Sequence, residues 1–330
     1  MHYSENLIFF RNGMKISRIG LGTWAIGGGP AWGGDSDIEE SIKTIQVCPG
    51  LGINLIDTAP AYNFGNSEII VGKALRTLQR ERIIIITKCG ITWTKKGSNF
   101  NKVGDVQLYK NLSRESIEED IQMSLARLET DYIDIYMTHW QSVEPFYTPI
   151  SETMDVLNSF KEKGVIRAIG AANVTPEHIE EYMKYGQLDI IQCKYSILDR
   201  KVEQGIFPLC EKYGITMQAY SPLEQGLLTG KINKDYLPQK GSSQQSKFWF
   251  QHDNLVKAIG MLEKWGDLCK KYDCTIPNLA IAWILAQAEF ITVLSGAKTR
   301  SELMENVKAL QIELSDEDIK FMKEMAEAIS

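Results

Sequence analysis

The chain has 330 residues, 44% hydrophobic and 24% charged, a balance that excludes a disordered chain and permits a large buried core. The 36 basic and 42 acidic residues give a net charge of -6 with no dense basic run, which disfavours nucleic acid as a partner. No apolar stretch approaches the ~18 residues of a membrane span, and no signal pattern precedes the first apolar run, so we expect a cytoplasmic protein without a membrane partner. The six cysteines are scattered without C-x-x-C pairs, which predicts free thiols and no metal site.

A hairpin is predicted at the start of the chain. The apolar runs 7–10 and 14–19 flank Asn12-Gly13, and both of these residues tolerate the positive φ of a tight hairpin turn. We therefore expect an antiparallel flap before the main fold.

Eight short apolar runs then alternate with longer amphipathic segments. They are 19–21, 54–56, 83–86, 133–137, 166–169, 190–193, 216–219 and 291–294. Continuous apolar strands separated by helices are typical of a parallel sheet that is buried on both faces. Eight of them predict an α/β fold, a closed (β/α)8 TIM barrel, and we expect residues 1–330 to form one domain.

Capping residues and polar runs mark the other elements. Ser113 precedes one helical pattern, and Thr175-Pro176 opens another that ends near Gly186. The polar stretch 233–247 has no regular pattern and is predicted to be a mobile loop that covers a site. Ser315 and the acidic residues after it predict an extra C-terminal helix.

One glycine-rich motif points away from a dinucleotide-binding turn. The run Gly20-Leu-Gly22-Thr-Trp-Ala25 has the G-x-G-x-x-G/A spacing, which requires a helix to begin at once. The run Gly27-Gly28-Gly29-Pro30 follows instead, so we reject that interpretation and expect a flexible loop.

Four polar residues lie at or just after the ends of predicted strands. Asp57, Lys88 and His139 each follow an apolar run, and Tyr62 lies in the loop after Asp57. Each alone has an ordinary structural explanation, such as a cap or a core histidine. The active site of a (β/α)8 barrel forms at the carboxyl ends of its strands, so we expect the four side chains to share one pocket.

This set of residues predicts an acid site. A phenol with a pKa near ~10 is a poor acid at neutral pH. The ammonium of Lys88 would lower the pKa of Tyr62, Asp57 would hold Lys88, and His139 would bind the substrate oxygen. The chemistry suits a carbonyl reductase, and it also suits another proton-transfer enzyme, such as a barrel isomerase that needs no nucleotide.

The loop from Asp57 to Gly72, with Tyr62, Gly65 and Glu68 inside it, closely resembles the signature of the aldo-keto reductase family. Other blocks that agree are Thr87-Lys88, Ser124 to Leu128, Asp131 to Asp134 with His139, Gly164 to Gly170, and Tyr220 to Leu223. The resemblance covers essentially the whole chain and extends to the branch that includes potassium-channel β subunits. It implies a catalytic tetrad of Asp57, Tyr62, Lys88 and His139 that reduces aldehydes or small carbonyls to alcohols by hydride transfer, with Tyr62 as the general acid.

The resemblance also implies the contacts of a nicotinamide dinucleotide. Gly22, Thr23, Trp24 and Asp57 line the site, Asn173 and Gln192 hold the nicotinamide amide, and Tyr220 stacks on its ring. The pyrophosphate follows Ser221, Pro222, Leu223, Gly226, Leu228 and Lys231, and the adenosine end falls on Gly296, Lys298, Thr299, Arg300, Glu302, Glu305 and Asn306. Lys298 and Arg300 favour the 2′-phosphate of NADP, which we expect, whereas Glu302 favours the alternative, NAD.

The tryptophans suggest how a carbonyl substrate is held. Trp24, Trp32, Trp93 and Trp140 fall in predicted strand-end loops and would wall an apolar pocket around Tyr62 and His139. Trp265 and Trp283 fit the core, and Trp249 either closes over the site or anchors the long loop. Two alternative functions stay open: an NAD-dependent sugar or alcohol dehydrogenase, and a regulatory subunit that binds the nucleotide. The sequence does not specify an oligomeric state.

Overall fold

Strands and helices alternate along the computed structural model, which describes residues 6–32, 34 and 36–329. The strands are β1 Leu7–Phe9, β2 Lys15–Ser17, β3 Ile19–Gly22, β4 Leu55–Asp57, β5 Ile84–Cys89, β6 Ile91–Thr92, β7 Ser98–Val103, β8 Val106–Lys110, β9 Ile133–Thr138, β10 Ile166–Ala172, β11 Ile190–Lys194, β12 Thr216–Tyr220 and β13 Ile291–Gly296. The α-helices are α1 Ile38–Gln46, α2 Asn66–Leu75, α3 Arg114–Leu128, α4 Ile150–Glu162, α5 Pro176–Tyr185, α6 Val202–Gly205, α7 Phe207–Tyr213, α8 His252–Glu263, α9 Gly266–Lys271, α10 Ile276–Leu285, α11 Arg300–Val307 and α12 Asp316–Glu327. Short 3-10 helices cover Pro30–Trp32, Pro49–Leu51, Arg80–Arg82, Glu224–Thr229, Phe248–Phe250 and Lys308–Gln311.

The predicted barrel is confirmed. The strands β3, β4, β5, β9, β10, β11, β12 and β13 pair in this order and close on themselves, with parallel neighbours throughout. Successive side chains of a strand point to opposite faces, so Leu55 fills the barrel interior while Ile56 packs outward against the helices. Several strands run past the predicted apolar segments, as β5 does to Cys89, because polar residues at their ends are buried and hydrogen-bonded, as Thr87 is to Glu68 and Lys88 is to Asp57.

The predicted hairpin is formed by β1 and β2, which pair antiparallel from Leu7 opposite Ser17 to Phe9 opposite Lys15. Its turn is longer than a two-residue turn, because Phe10 N–H binds Met14 O and only Gly13 has a positive φ, of 82°. Phe10 and Ile16 are buried in the cluster that fills the barrel interior, so the hairpin closes the end of the barrel at which the strands begin.

An antiparallel sheet of β6, β8 and β7 lies between β5 and α3, and the sequence did not predict it. The strand β7 is polar and largely exposed, so the hydrophobic pattern carried no signal. The hydroxyl of Ser98 donates to Val143 O and accepts from Phe146 N–H, at 3.0 Å for the second bond. The sheet is thereby docked on the segment that follows β9.

The remaining elements match their predictions in part. The helix α12 is present, and the side chain of Ser315 accepts from Asp318 N–H at its start. Residues 233–247 form no helix or strand, and Gln244 Nε2 donates to Gln225 O at 2.7 Å. Trp249 is buried, so it anchors this loop; whether the loop covers a site stays a prediction. Trp265 and Trp283 are fully buried, as expected.

Candidate active site

Lys88 is the centre of a buried cluster at the carboxyl end of the barrel. Its Nζ donates to the two carboxylate oxygens of Asp57 at 2.7 and 2.8 Å and to Thr58 O at 2.9 Å. The same ammonium donates to the hydroxyl of Tyr62 at 3.2 Å. The side chains of Lys88 and Asp57 are both 0% exposed, so each charge is stabilised by its partner and not by water. The structure thus brings three of the four predicted residues into contact.

His139 lies directly after β9, beside Tyr62. The ring centroids of the two residues are 5.7 Å apart, with an interplanar angle of 81°. The backbone N–H of His139 binds Cys89 O at 2.9 Å, which fixes the residue next to β5. The pKa of His139 lies well below its ordinary value. Loss of hydration is the larger cause, and the nearby positive charge of Lys88 is the smaller one. The imidazole is therefore neutral near pH 7.

The pKa of Tyr62 corrects one prediction. We expected Lys88 to lower it, but it lies well above the ordinary value of 10.0. Desolvation is the largest cause, and the carboxylate of Asp57 raises it further. The ammonium of Lys88 is paired with that carboxylate, so in the resting site its charge does not outweigh these two effects. Tyr62 is therefore protonated at neutral pH.

Two glutamines extend the cluster across the barrel. Gln192 Nε2 donates to Asp57 Oδ2 at 2.8 Å and to Gln218 Oε1 at 2.6 Å. Gln218 Nε2 is buried and has no hydrogen-bond partner among the described residues. Sequence reasoning assigned Gln192 to a cofactor and missed Gln218. A polar residue between Met217 and Ala219 in an apolar strand was the available signal.

The loop that carries Tyr62 has an unusual backbone. Asn63 and Phe64 have φ of 49° and 55°, a region that few residues other than glycine adopt, and Gly65 follows with 88°. Asn63 Nδ2 donates to Gly27 O at 2.8 Å, and Asn66 Nδ2 donates to the same oxygen at 3.0 Å. The loop of Tyr62 and the glycine-rich loop after β3 are therefore bonded to each other.

A second buried ion pair anchors the helix that follows this loop. Glu68 in α2 is fully buried, accepts from the Thr87 hydroxyl at 2.6 Å and binds Arg127 Nη1 at 2.9 Å. Thr87 precedes Lys88 in β5. Both members of the pair lie in the motifs that carried the family resemblance, but the sequence gave them no role.

The residues expected around the nicotinamide lie at the same end of the barrel. The hydroxyl of Tyr220 donates to Asn173 Oδ1 at 2.7 Å, and Asn173 Nδ2 donates to His139 O at 2.9 Å. Gly22 ends β3 beside Asp57 in β4. The hydroxyl of Thr23 is buried and donates to Asp57 O at 2.8 Å, so the protein itself already uses it.

The segment after β12 has three residues other than glycine in the left-handed region. These are Ser221, Glu224 and Gln225, with φ of 54°, 45° and 54°, and Gly226 follows with 98°. Such a concentration stores backbone strain, which is typical of ligand-binding loops. Of the predicted pyrophosphate contacts, Ser221, Leu223, Gly226 and Lys231 are at least partly exposed, and Pro222 and Leu228 are buried.

The predicted adenosine segment follows β13 and begins α11. Thr299 caps this helix by accepting from Glu302 N–H at 3.2 Å, and Asn306 Nδ2 lies 3.4 Å from Gly296 O. Both predicted cations have partners: Lys298 Nζ lies 5.2 Å from the centroid of the Trp32 ring, and Arg300 forms an ion pair with Glu40. Glu305 accepts from the Thr275 hydroxyl at 2.9 Å.

Each of the four tryptophans predicted to wall a pocket packs against another aromatic ring. Trp24 packs 6.3 Å from the Tyr62 ring and 5.0 Å from Trp32, measured between centroids. Trp93 packs 5.3 Å from Phe64, two residues after Tyr62. Trp140 follows His139 in the chain and packs 5.4 Å from Phe100 in the antiparallel sheet.

The described part of the chain contains neither a membrane-spanning helix nor a cluster of metal-ligating side chains. None of its helices combines the length and apolar character that a bilayer crossing requires. No group of three or more His, Cys, Asp or Glu side chains within it is arranged to hold a metal ion. All six cysteines are free, as predicted.

The chain belongs to the aldo/keto reductase family, whose model matches residues 18–327. It is 62% identical over 316 residues to the NADH-specific methylglyoxal reductase of Escherichia coli K12, covering 96% of each chain. A probable voltage-gated potassium channel subunit beta of Arabidopsis thaliana is 30% identical over 319 residues, covering 92% of this chain and 90% of that one. The solved glycerol dehydrogenase of Gluconobacter oxydans superposes with a TM-score of 0.87 at 30% identity, covering 98% and 96%. The chain is therefore an oxidoreductase of the aldo-keto reductase class with a (β/α)8 barrel.

Proposed function

We propose that this chain reduces methylglyoxal or a closely similar small α-oxoaldehyde to an alcohol, with NADH as its coenzyme. The observation that carries the proposal is the 62% identity, over 96% of both chains, to a relative named as an NADH-specific methylglyoxal reductase. Our expectation of NADP is not confirmed by that relative, so we adopt NADH, which was the alternative.

The residues at the mouth of the barrel fit a nicotinamide dinucleotide. Tyr220 is partly exposed at the end of β12, and its hydroxyl is fixed by Asn173, which leaves a ring face for stacking on a flat heterocycle. The strained backbone from Ser221 to Gly226 suits the close approach of a pyrophosphate, and Lys231 provides an exposed cation near it. When bound, the reduced nicotinamide supplies the hydride that reaches the carbonyl carbon.

The protein supplies the proton. Tyr62 is protonated at neutral pH, so its hydroxyl gives a proton to the carbonyl oxygen as the carbon is reduced. The phenolate left behind is stabilised by Lys88 Nζ, which already donates to the Tyr62 oxygen at 3.2 Å. Asp57 keeps Lys88 in place through two hydrogen bonds, and solvent returns the proton after the alcohol leaves.

The remaining residues orient the substrate and limit the entry of water. Neutral His139 offers a ring N–H to the carbonyl oxygen beside Tyr62, which polarises the carbonyl without a competing charge. In this proposal Trp24, which packs against Tyr62 and Trp32, and Trp140, the residue after His139, form an aromatic wall beside the substrate. A small α-oxoaldehyde presents little more than two carbonyl groups and a methyl group, so such a wall suits it.

Tyr62→Phe tests the role of the proton donor. We expect methylglyoxal-dependent oxidation of NADH to fall by about 100-fold or more because the general acid is lost, with NADH affinity within about twofold of the parent. The readouts are the absorbance of the reduced nicotinamide and a separate NADH titration by fluorescence. The control is Tyr147→Phe, which removes a hydroxyl from a side chain that is 58% exposed. Full turnover by Tyr62→Phe would overturn the assignment.

A second candidate function keeps the site and reverses the reaction. The similarity to a glycerol dehydrogenase favours oxidation of a small polyol with NAD. Comparing kcat/KM for methylglyoxal with NADH against glycerol with NAD separates the two directions. Nucleotide binding without turnover of any carbonyl or alcohol would instead favour a regulatory subunit, the class that the potassium-channel relative represents.

A further inference from the structure

The start of helix α11 is occupied by a carboxylate from the other end of the sequence. Glu40 lies in the first turn of α1 and accepts from the backbone N–H of Arg300, the first residue of α11, at 3.2 Å. The Arg300 side chain binds the same carboxylate with two further bonds, from Nε at 3.1 Å and from Nη2 at 3.2 Å. One carboxylate therefore uses three donors of Arg300.

These donors are the kind that hold a phosphate. The free N–H groups at a helix start attract anions, and a guanidinium binds phosphate through two parallel hydrogen bonds. Here both are used by a protein side chain. The hydrogen bonds from Arg300 also hold the pKa of Glu40 below its ordinary value, so the carboxylate is ionised at neutral pH.

A second carboxylate binds the backbone of the same turn. Glu302 accepts from the backbone N–H of Lys298 at 2.8 Å, which uses another donor of the same turn. The ammonium of Lys298 lies over the ring of Trp32, 5.2 Å from its centroid. Two carboxylates therefore already bind donors of the segment whose cations the sequence assigned to a 2′-phosphate, and one of those cations, Arg300, is already paired before any nucleotide binds.

We propose that Glu40 is a coenzyme-specificity residue that takes the place of the 2′-phosphate on Arg300 and so excludes NADPH. This role rests on the proposed function, in which the segment after β13 holds the adenosine of NADH. A 2′-phosphate entering the turn would have to displace Glu40 from Arg300 and would then lie beside two carboxylates. A ribose with a free 2′-hydroxyl leaves the Glu40–Arg300 pair intact.

Glu40→Gln tests this role because it keeps the size of the side chain and removes its charge. The matched control is Glu39→Gln, because the neighbouring Glu39 side chain is 88% exposed and pairs with Lys43 rather than with Arg300. The probes are ADP and 2′,5′-ADP, which differ by one phosphate, and their affinities are measured by calorimetry at low salt in a phosphate-free buffer. These measurements need no carbonyl turnover.

We expect the parent to bind ADP more tightly than 2′,5′-ADP. In Glu40→Gln the affinity for 2′,5′-ADP should rise about tenfold or more, the affinity for ADP should change by less than about twofold, and KM for NADPH should fall in parallel. Adding Arg300→Ala to Glu40→Gln should abolish the gain, because the released cation is then absent. Glu39→Gln should match the parent.

Three outcomes count against the proposal and are distinguishable. If the parent prefers NADH but Glu40→Gln leaves 2′,5′-ADP binding unchanged, the role of Glu40 is overturned while the proposed function stands. If the gain persists without Arg300, the effect is general charge removal and not release of this donor. If the parent itself prefers NADPH and 2′,5′-ADP, the proposed coenzyme fails together with the role of Glu40.

Discussion

The surroundings of Tyr62 determine how it would serve as the general acid of the proposed reaction. Its pKa lies above the ordinary value because the surrounding protein and Asp57 disfavour the phenolate, so the proton is always present at neutral pH. Lys88 Nζ lies 3.2 Å from the oxygen that bears the developing negative charge in the proposed reaction. In this proposal Tyr62 therefore carries its proton in the resting protein. Lys88 stabilises the Tyr62 oxygen most strongly after the proton has left.

The pH profile of turnover follows from the two shifted groups. Neutral His139 would gain a proton only well below its ordinary pKa, and Tyr62 would lose its proton only above 10.0. Activity that needs neutral His139 and protonated Tyr62 is lost below the first pKa and above the second. We expect kcat/KM for methylglyoxal with NADH to be level from about pH 7 to about pH 9.5.

Steady-state rates across that range provide the measurement, with nucleotide binding followed at each pH as a control. A break near pH 7 that disappears in His139→Asn would mean that His139 titrates in the working range. That result would contradict the assignment of a neutral His139 imidazole to this site.

The residues that the sequence could identify are those with an unambiguous local pattern. Asp57, Lys88 and His139 stand out because ionisable groups end three strongly apolar strands. Glu40 could not be found in this way, because its partner Arg300 is 260 positions away. Gln218 was missed because its contact with Gln192 depends on two neighbouring strands being in register, which only the folded barrel defines.

At the scale of elements, two loops that are separate in sequence act as one support. Asn63 and Asn66, from the loop and helix after β4, both bind Gly27 O in the loop after β3. Gly29 lies against Asn63, and a Cβ built on it would be 2.6 Å from Asn63 Oδ1. The position of Tyr62, the residue before Asn63, therefore depends on the size of residue 29.

Gly29→Ala is expected to lower kcat/KM for methylglyoxal by about tenfold, because Asn63 must move and Tyr62 shifts with it. The matched control is Gly13→Ala, since Gly13 has φ of 82° against 86° for Gly29 but has no atom within 4 Å of its Cβ position. Both variants carry the strain of a left-handed alanine, roughly 1 kcal/mol. Equal kinetics in the two variants, measured alongside thermal unfolding, would show that the contact does not position Tyr62.

The elements differ in how far the sequence predicts them. The barrel strands were found because they are buried on both faces and read as continuous apolar runs. The sheet of β6 to β8 was missed because β6 has only two residues, because β7 is polar and largely exposed, and because its docking depends on single bonds such as that from Ser98 to Val143. Tertiary contact, rather than local propensity, determines that sheet.

At the scale of the whole molecule, the barrel has a closed end and an open end. The hairpin places Phe10 and Ile16 against interior residues such as Leu55, Ile84 and Ile135. The cluster around Lys88 lies at the opposite end, where the strands finish. That residues 1–330 are a single domain stays a prediction, although the described residues contain one closed barrel.

Ile16→Ala is expected to lower the free energy of unfolding by about 2 to 4 kcal/mol, because Ile16 is fully buried at the closed end and its loss leaves a cavity. The kinetics with methylglyoxal should stay within about twofold of the parent, since the change is at the far end from Tyr62. Denaturant unfolding and steady-state kinetics measure the two effects. Ile8→Ala, in the same hairpin but only half-buried, is the control and should cost less. An unfolding free energy equal to that of the parent would mean that the hairpin does not close the barrel.

The hydrogen bond from Gln192 to Asp57 joins strands that stand on opposite sides of the eight-stranded ring, since four steps separate β11 from β4 in either direction. Asp57, and through it Lys88 and Tyr62, is therefore held from the opposite side of the barrel. The sheet of β6 to β8 and residues 233–247 contribute none of the hydrogen bonds within this cluster. Grafting either segment from a relative should therefore leave the proposed acid chemistry unchanged. For an engineer, these two segments are parts of the barrel that can be varied without touching the hydrogen bonds of the cluster around Lys88.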